Sequence, residues 1–246
     1  MRNHTGRVLG IFWIVVLSIP AAWASDTESL SGDEWSFTVS PYVWGISLEG
    51  NAATIPPLPS VEIDASFGEI VKDINLGFMG TAELRKGKFG LFTDVVWADL
   101  TTDAVPFLTV NSTSVMATVA VAYRVLEQEL GWLDLIVGAR GWYIDTGLDV
   151  GPIGGLVDHS EGWVDAIGGL RAQINLGKGF HATAFTLGGG GASKYVVDLT
   201  GTLGYTFTNH LSTFVGYRFV KVNYEEKRFL WDMQYQGPML GGRYKF

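Results

Sequence analysis

From about residue 35 to residue 246 the dominant period of the chain is two. Apolar side chains alternate with polar or small ones in successive segments, and turn-forming residues separate them. That period sends neighbouring side chains to opposite faces of an extended strand, so the chain is committed to sheet. In Val115–Val125 one face carries Val115, Ala117, Val119, Val121, Tyr123 and Val125, and the other carries Met116, Thr118, Ala120, Ala122 and Arg124. Two more segments repeat the pattern. Leu133, Leu135, Val137, Ala139 and Tyr143 oppose Asp134, Gly138 and Arg140; Leu211, Val215, Tyr217 and Phe219 oppose Ser212, Gly216 and Arg218.

The alternation predicts about ten strands, over residues 35–49, 76–86, 89–101, 110–126, 132–147, 163–176, 180–190, 194–208, 211–225 and 229–246. Lys86-Gly-Lys88, Gly177-Lys-Gly179 and Thr208-Asn-His210 read as tight turns, and the connections near 50–75 and 147–162 read as long. Alternating short and long connections suit an antiparallel up-and-down β-barrel with periplasmic turns and external loops. Eight or twelve strands also fit, because Val61–Phe67 can supply a further strand and the hairpin at Gly188–Gly191 is rich in glycine. The Pro-rich stretch Asn51–Ser60 belongs to the first external loop, and Phe67–Ile74 fits one or two helical turns folded over the mouth or into the lumen.

Alternation alone does not separate a soluble sandwich from a barrel turned inside out for lipid. Composition favours lipid: 47% of residues are hydrophobic and only 17% charged, against roughly 25% in average soluble domains. Mean hydropathy is +0.21, yet past residue 30 no apolar run approaches the ~20 residues of a spanning helix. On the apolar face, Phe89, Tyr123, Tyr205, Phe207, Tyr244 and Phe246 fall near one set of strand ends. Trp97, Tyr143, Tyr217 and Phe219 fall near the other set, and two aromatic girdles suit two membrane interfaces.

The first residues carry an address. Arg2 and Arg7 precede the apolar stretch Val8–Pro20, and Ala22-Trp-Ala24 offers a small-x-small cleavage pattern. This predicts a secretory signal over 1–24 and one barrel domain over 25–246, bound for the outer membrane of a Gram-negative cell. The formal net charge is −8, and cleavage removes two arginines and no acid, which argues against a nucleic-acid partner. Cysteine is absent, so no disulfide is expected.

Ser40-Pro-Tyr-Val-Trp-Gly45, Phe92-Thr-Asp-Val-Val-Trp-Ala-Asp-Leu100, Trp163-Val-Asp-Ala-Ile-Gly-Gly-Leu-Arg171, Leu203-Gly-Tyr-Thr-Phe207 and Gly216-Tyr-Arg218 resemble an uncharacterised family of proteobacterial outer-membrane β-barrel proteins, broadly porin-like. The resemblance extends over essentially the whole chain past the signal, and its motifs mark fold rather than chemistry. The final strand also resembles the C-terminal signature of such barrels. It implies that Leu240, Tyr244 and Phe246 are read by the barrel assembly machinery during insertion, with outer-membrane lipid as the standing partner.

The polar face carries a repeat. Asp134-Leu-Ile-Val-Gly-Ala-Arg140 and Asp165-Ala-Ile-Gly-Gly-Leu-Arg171 share D-x-x-x-G-x-R, and Gly216-Tyr-Arg218 and Gly241-Gly-Arg243 repeat its second half. Glycine and arginine then share a face, and the glycine is expected to leave room for a guanidinium lying across the neighbouring strand. The candidate lumen charge network is Glu83, Arg85, Asp94, Arg124, Asp134, Arg140, Asp165, Arg171, Asp198 and Arg218. Its acids and bases should pair, either as a structural filling or as the lining of a selective pore. Asp99, Asp145, Lys221 and Asp232 fall on the apolar face, toward external strand ends.

Chemistry finds little support. Asp158-His-Ser-Glu161 reads as a solvated external loop, and adjacency in sequence does not make a triad. With no cysteine and scattered histidines, neither a metal site nor a cofactor is expected. The expected function is therefore a narrow passive, porin-like channel. The alternatives are a structural or surface-interaction barrel with an ion-paired lumen and, behind both, an outer-membrane enzyme; no catalytic role is assigned. No pattern specifies a solute, an oligomeric state, or whether 50–75 plugs the lumen.

Overall fold

The computed structural model describes residues 34–55, 58–105, 108–150 and 156–246. The signal expected over 1–24 lies outside them. The described residues form twelve strands: β1 (Trp35–Trp44), β2 (Ser47–Ala53), β3 (Val61–Ala65), β4 (Ile74–Lys86), β5 (Phe89–Val105), β6 (Leu108–Gln128), β7 (Gly131–Val150), β8 (Leu156–Gly177), β9 (Phe180–Gly191), β10 (Tyr195–Thr206), β11 (Leu211–Glu226) and β12 (Phe229–Lys245). One short helix, α1 (Phe67–Asp73), precedes β4.

Ten strands form a closed antiparallel ring in the order β1-β4-β5-β6-β7-β8-β9-β10-β11-β12, and β12 returns to β1 through Thr38↔Lys245 to Trp44↔Met239. Closure gives every strand of the ring two paired neighbours. The expected all-β up-and-down barrel of about ten strands is the fold observed, and β2 and β3 are the two extra strands.

Strand parity follows the sequence. Val119, Val121, Val137, Leu203, Val215 and Leu240 point outward and are exposed, whereas Ala120, Ala122, Ile136, Val220 and Val222 are buried inside. Aromatic pairs ring the tight-turn end: Phe89 with Tyr123 at 5.0 Å, Phe180 with Tyr205 at 4.8 Å and Tyr244 with Phe246 at 4.7 Å. The turn at Gly177-Lys178-Gly179 holds three successive positive φ angles of 85°, 52° and 84°, which explains the two glycines.

Three loop expectations need correction. Residues 147–162 are not a long loop: β7 runs to Val150 and β8 starts at Leu156, so the hairpin ladder consumes most of the stretch. His159 and Ser160 accordingly sit on β8, opposite Thr146 and Asp145. Gly188–Gly191 is not a flexible hairpin either. It closes β9, and a Cβ at Gly189 would fall on the carbonyl oxygen of Ala166, so the run lets β8 and β9 approach closely. Finally, Asn51–Ala53 belongs to β2 rather than to the first loop.

β1 and β2 run in one register along β12, from Thr38↔Lys245 to Ala53↔Leu230, interrupted at Gly45-Ile46 where Gly45 N–H donates to Pro238 O at 2.8 Å. A Cβ at Gly237 (φ 159°) would strike the carbonyl oxygen of Gly45, so glycine is required beside the break. On its other side β1 pairs with β4 only as far as Pro41↔Gly80, and β2 pairs with β3 instead. The amide that Pro41 lacks would face β12, because Phe37 O and Gly45 N at the same parity bond Phe246 and Pro238, and the β1–β12 register accordingly skips Ser40 and Pro41. The first residues of β4, Ile74–Met79, are paired with β5 and have no paired strand on the β1 side.

Candidate functional site: a layered lumen

Alternation delivers one inward side chain from every second residue, and barrel closure decides which of them meet. They sort into four layers between the tight-turn end and the long-loop end.

The first layer is ionic. Asp134, on β7 and wholly buried, accepts from Arg85 Nη2 at 2.7 Å, from Arg124 Nε, and from Arg171 Nη2 at 2.9 Å. Glu83 on β4 meets Arg85 Nη2 at 2.7 Å and, across the lumen, Arg171 Nη1 on β8 at 2.8 Å. Trp132 underlies Arg124 and Arg171, with guanidinium-to-ring distances of 4.5 and 5.2 Å. Arg243 and Lys245 line the cavity of about 390 Å3 beneath this layer.

The second layer is the waist. Arg218 on β11 donates from Nη2 to Asp94 Oδ2 on β5 and to Asp198 Oδ2 on β10, each at 2.7 Å, and from Nη1 to Tyr42 OH at 2.9 Å. Tyr42 donates in turn to Asp94 Oδ1 at 2.7 Å. Arg140 on β7 completes the group through Nη2 to Asp198 Oδ2 at 2.6 Å and Nε to Thr118 Oγ1 at 2.9 Å. These five groups join β1, β5, β7, β10 and β11, so the bridges cross the lumen. Two arginines face two aspartates, which leaves the group formally neutral.

The third layer is aromatic and rests on the second. Arg218 lies 5.0 Å from the ring of Trp44, and Arg140 lies 5.9 Å from that of Trp142. Tyr235 stands 6.5 Å from Trp44 and 6.1 Å from Trp142. Trp142 stacks on Trp163 at 5.8 Å, and Trp163 on Tyr224 at 4.1 Å and 2°. Trp163 Nε1 donates to Ser193 Oγ at 2.8 Å, and Tyr224 OH donates to Glu161 Oε1 at 3.1 Å. Trp44 Nε1 and Trp142 Nε1 are buried with no hydrogen-bond partner.

The fourth layer is the mouth, where Leu48, Ile55, Ile63, Ile70, Leu100 and Trp231 help line a cavity of about 870 Å3. α1 stands here. The Glu69 carboxylate accepts from Ser66 N–H at 2.8 Å and Ser66 Oγ–H at 2.7 Å, fixing the first turn of the helix. Those two donors hold the Glu69 carboxyl below its ordinary pKa.

Of the ten charges proposed from sequence, nine lie in the two ionic layers. Asp165 does not join an arginine. Its carboxylate accepts from Ser193 N–H and Ser193 Oγ–H, both at 2.7 Å, and so anchors the β9–β10 turn. Sequence reasoning missed Tyr42, whose inward parity was readable, and missed the aromatic layer altogether. The G-x-R motif needs a different reason from the one expected. A Cβ at Gly138, Gly169 or Gly216 would fall on the backbone carbonyl of Val119, Thr186 or Gly201, so the glycine admits the neighbouring backbone rather than a guanidinium. On the apolar face, Lys221 and Asp232 form a pair at 2.9 Å, and Asp99 accepts from Thr113 Oγ1 at 3.1 Å. Leu240, Tyr244 and Phe246 point outward on or beside β12 and are exposed.

His159 Nε2 is 3.7 Å from Glu161 Oε2 on the long-loop end of β8. His181 is buried beside β10, and His210 lies in the β10–β11 turn with Nδ1 2.8 Å from Lys245 O. The three histidines form no cluster, and among the described residues no three His, Asp or Glu side chains form a group fit to hold a metal ion.

No family model and no curated protein matches the chain. Solved structures to which it is similar include outer-membrane β-barrel proteins of Gram-negative bacteria. The outer membrane protease OmpT of Escherichia coli is 8% identical, with 90% of this chain and 100% of that chain covered and a TM-score of 0.48. The transport unit of the autotransporter AIDA-I of Escherichia coli is 10% identical, covers 91% and 94%, and has a TM-score of 0.43. The attachment invasion locus protein Ail of Yersinia pestis is 12% identical, covers 87% and 99%, and has a TM-score of 0.38. At such identities no activity passes from them to this chain.

Proposed function

We propose that this chain is an outer-membrane β-barrel whose lumen is sealed at the waist and whose long-loop mouth is the working surface, acting by binding rather than by catalysis or passive diffusion. The exterior supports a lipid setting: contiguous outward Val and Leu side chains are too extensive an apolar surface for water. One observation carries the sealed reading. The Arg218 guanidinium joins Asp94 and Asp198 from different walls of the barrel while all three side chains are nearly or wholly buried. A ten-stranded ring is narrow enough for side chains to meet across it. A hydrated, selective pore would instead keep its charges wet and its centre clear.

The binding reading rests on the mouth, where mostly apolar side chains rather than a charged ladder line the cavity of about 870 Å3. Planar-bilayer recording tests the proposal: the purified protein should insert without discrete conductance steps. Steady ohmic steps of uniform size from the unmodified protein would restore the narrow-channel reading.

A further inference from the structure

A barrel lumen in a membrane is ordinarily polar, because its outer face already takes the apolar side chains. Above the waist this lumen reverses the rule. Trp44, Met79, Val96, Met116, Trp142 and Ile144 line a chamber of about 90 Å3. Its remaining wall includes Phe67, Ile70 and Val71 of α1. Leu48, Ile70, Leu100, Ser114 and Tyr235 border both this chamber and the mouth cavity of about 870 Å3, so the two adjoin. A cavity with such a lining gives water few partners.

Two further observations say what the chamber takes. The first is its wall. The β1–β4 ladder stops at Pro41↔Gly80 although β4 begins at Ile74, and β2 pairs with β3 instead of β4. The first residues of β4 are therefore unpaired on the β1 side, and α1 stands beside this seam, with Phe67 N–H donating to Ser47 Oγ on β2 at 3.2 Å and Asp73 accepting from Thr102 Oγ1 on β5 at 2.6 Å. Phe67 and Val71 on α1, and Leu76 and Phe78 on β4, are exposed. The second is its floor. Trp44 and Trp142 rest on the arginines of the waist, and each has a buried indole N–H with no acceptor. A buried donor left unpaired is costly, and tryptophan in such places usually finds a partner.

We infer that the chamber binds a single-chain membrane amphiphile, an acyl tail bearing a hydrogen-bond-accepting carboxyl head, which enters laterally from the bilayer through the seam beside α1. The head accepts from the indoles at the floor, and the tail lies along α1 toward the seam. The inference rests on the lipid-inserted reading of the barrel given above, and it needs no open path through the waist.

The test is photolabelling of the unmodified protein in phosphatidylethanolamine–phosphatidylglycerol vesicles with a palmitic acid carrying a diazirine on its tail, followed by peptide mapping. Adducts are expected on inward-facing Val96, Ala98 and Met116 or on α1, besides those on outward-facing Val95, Trp97 and Val119. Excess palmitic acid should displace the inward adducts, and hexadecane, which has no acceptor, should compete roughly tenfold less well. Ala98→Phe, which fills the chamber, should lower the inward adducts at least about fivefold while the outward ones report intact insertion. Adducts confined to the outward residues, or inward adducts unchanged by Ala98→Phe, would overturn the inference and leave insertion standing. Absence of adducts on either face would reject insertion and the inference together.

Discussion

Arg140 donates from Nη2 to Asp198 Oδ2 over 2.6 Å, and neither side chain has any solvent exposure. Asp198 is also held by Arg218, so one carboxylate on β10 ties β7 to β11. Removing one member of a buried pair leaves the other uncompensated, at a cost of about 3–5 kcal/mol. Arg140→Ala should therefore lower the unfolding free energy in vesicles by about that much, and Asp198→Asn, which leaves Arg140 without a carboxylate and Arg218 with Asp94 alone, should lower it at least as far. Denaturant titration followed by tryptophan fluorescence reads the change. A loss below about 1 kcal/mol for both variants would mean that water reaches the waist, as in an exposed pair.

Conductance should respond to a different residue. Arg218 is the one side chain bonded to Tyr42, Asp94 and Asp198 together. Arg218→Ser withdraws the crossing bridge, leaves Asp94 without an arginine and leaves Asp198 held by Arg140 alone, so the waist gains one net negative charge. Bilayer recordings of this variant should show small, cation-selective currents where the unmodified protein shows none. Silent recordings from well-inserted Arg218→Ser would place the seal in another layer.

The glycines divide by face. At Gly169 a Cβ would fall on the carbonyl oxygen of Thr186, whereas at Gly201 it meets nothing within 4 Å. Gly169→Ala should cost about 1–3 kcal/mol or more through displaced backbone, and Gly201→Ala should be close to neutral. Folding yield and denaturant midpoints of the two variants provide the comparison. Equal effects would remove the close approach of β8 and β9 as the reason for the motif.

Acid should loosen α1 before the barrel. Glu69 accepts two hydrogen bonds from Ser66, and its carboxyl is held below the ordinary value mainly by the Ser66 hydroxyl. A group with a depressed folded pKa stabilises the fold above its unfolded pKa, and that contribution is lost as pH falls through the folded value. Hydrogen exchange at Phe67–Asp73 should therefore accelerate below about pH 4 while the strands stay protected. In Glu69→Gln the carboxylate is gone and the pH dependence should vanish with it; an unchanged acid response would assign it to another group.

Much of this was legible in the chain. Period-two alternation placed Arg140, Arg171 and Arg218 inside and Val137, Val215 and Leu240 outside, because a strand gives each side chain only two directions. Tight turns were readable at Gly177-Lys178-Gly179 because glycine tolerates the positive φ values found there. The parity of Tyr42, Trp44 and Trp142 was equally readable, but nothing local distinguishes an inward tryptophan that packs from one that lines a chamber.

Partner choice was not legible, because it is set by closure. Arg218 meets Asp94 across 124 positions of sequence only since β12 returns to β1 and brings β5 opposite β11. Asp165 shares the D-x-x-x-G-x-R motif with Asp134, yet Asp134 gathers three arginines and Asp165 caps a turn through Ser193. The two aspartates sit at different heights, so the same local pattern meets different neighbours. The β1–β12 ladder shows the same division. The sequence by itself determined that Pro41 lacks an amide; the tertiary structure decided that this missing donor faces β12, where the paired register skips Ser40 and Pro41, since only the closed register sets which strand stands beside it.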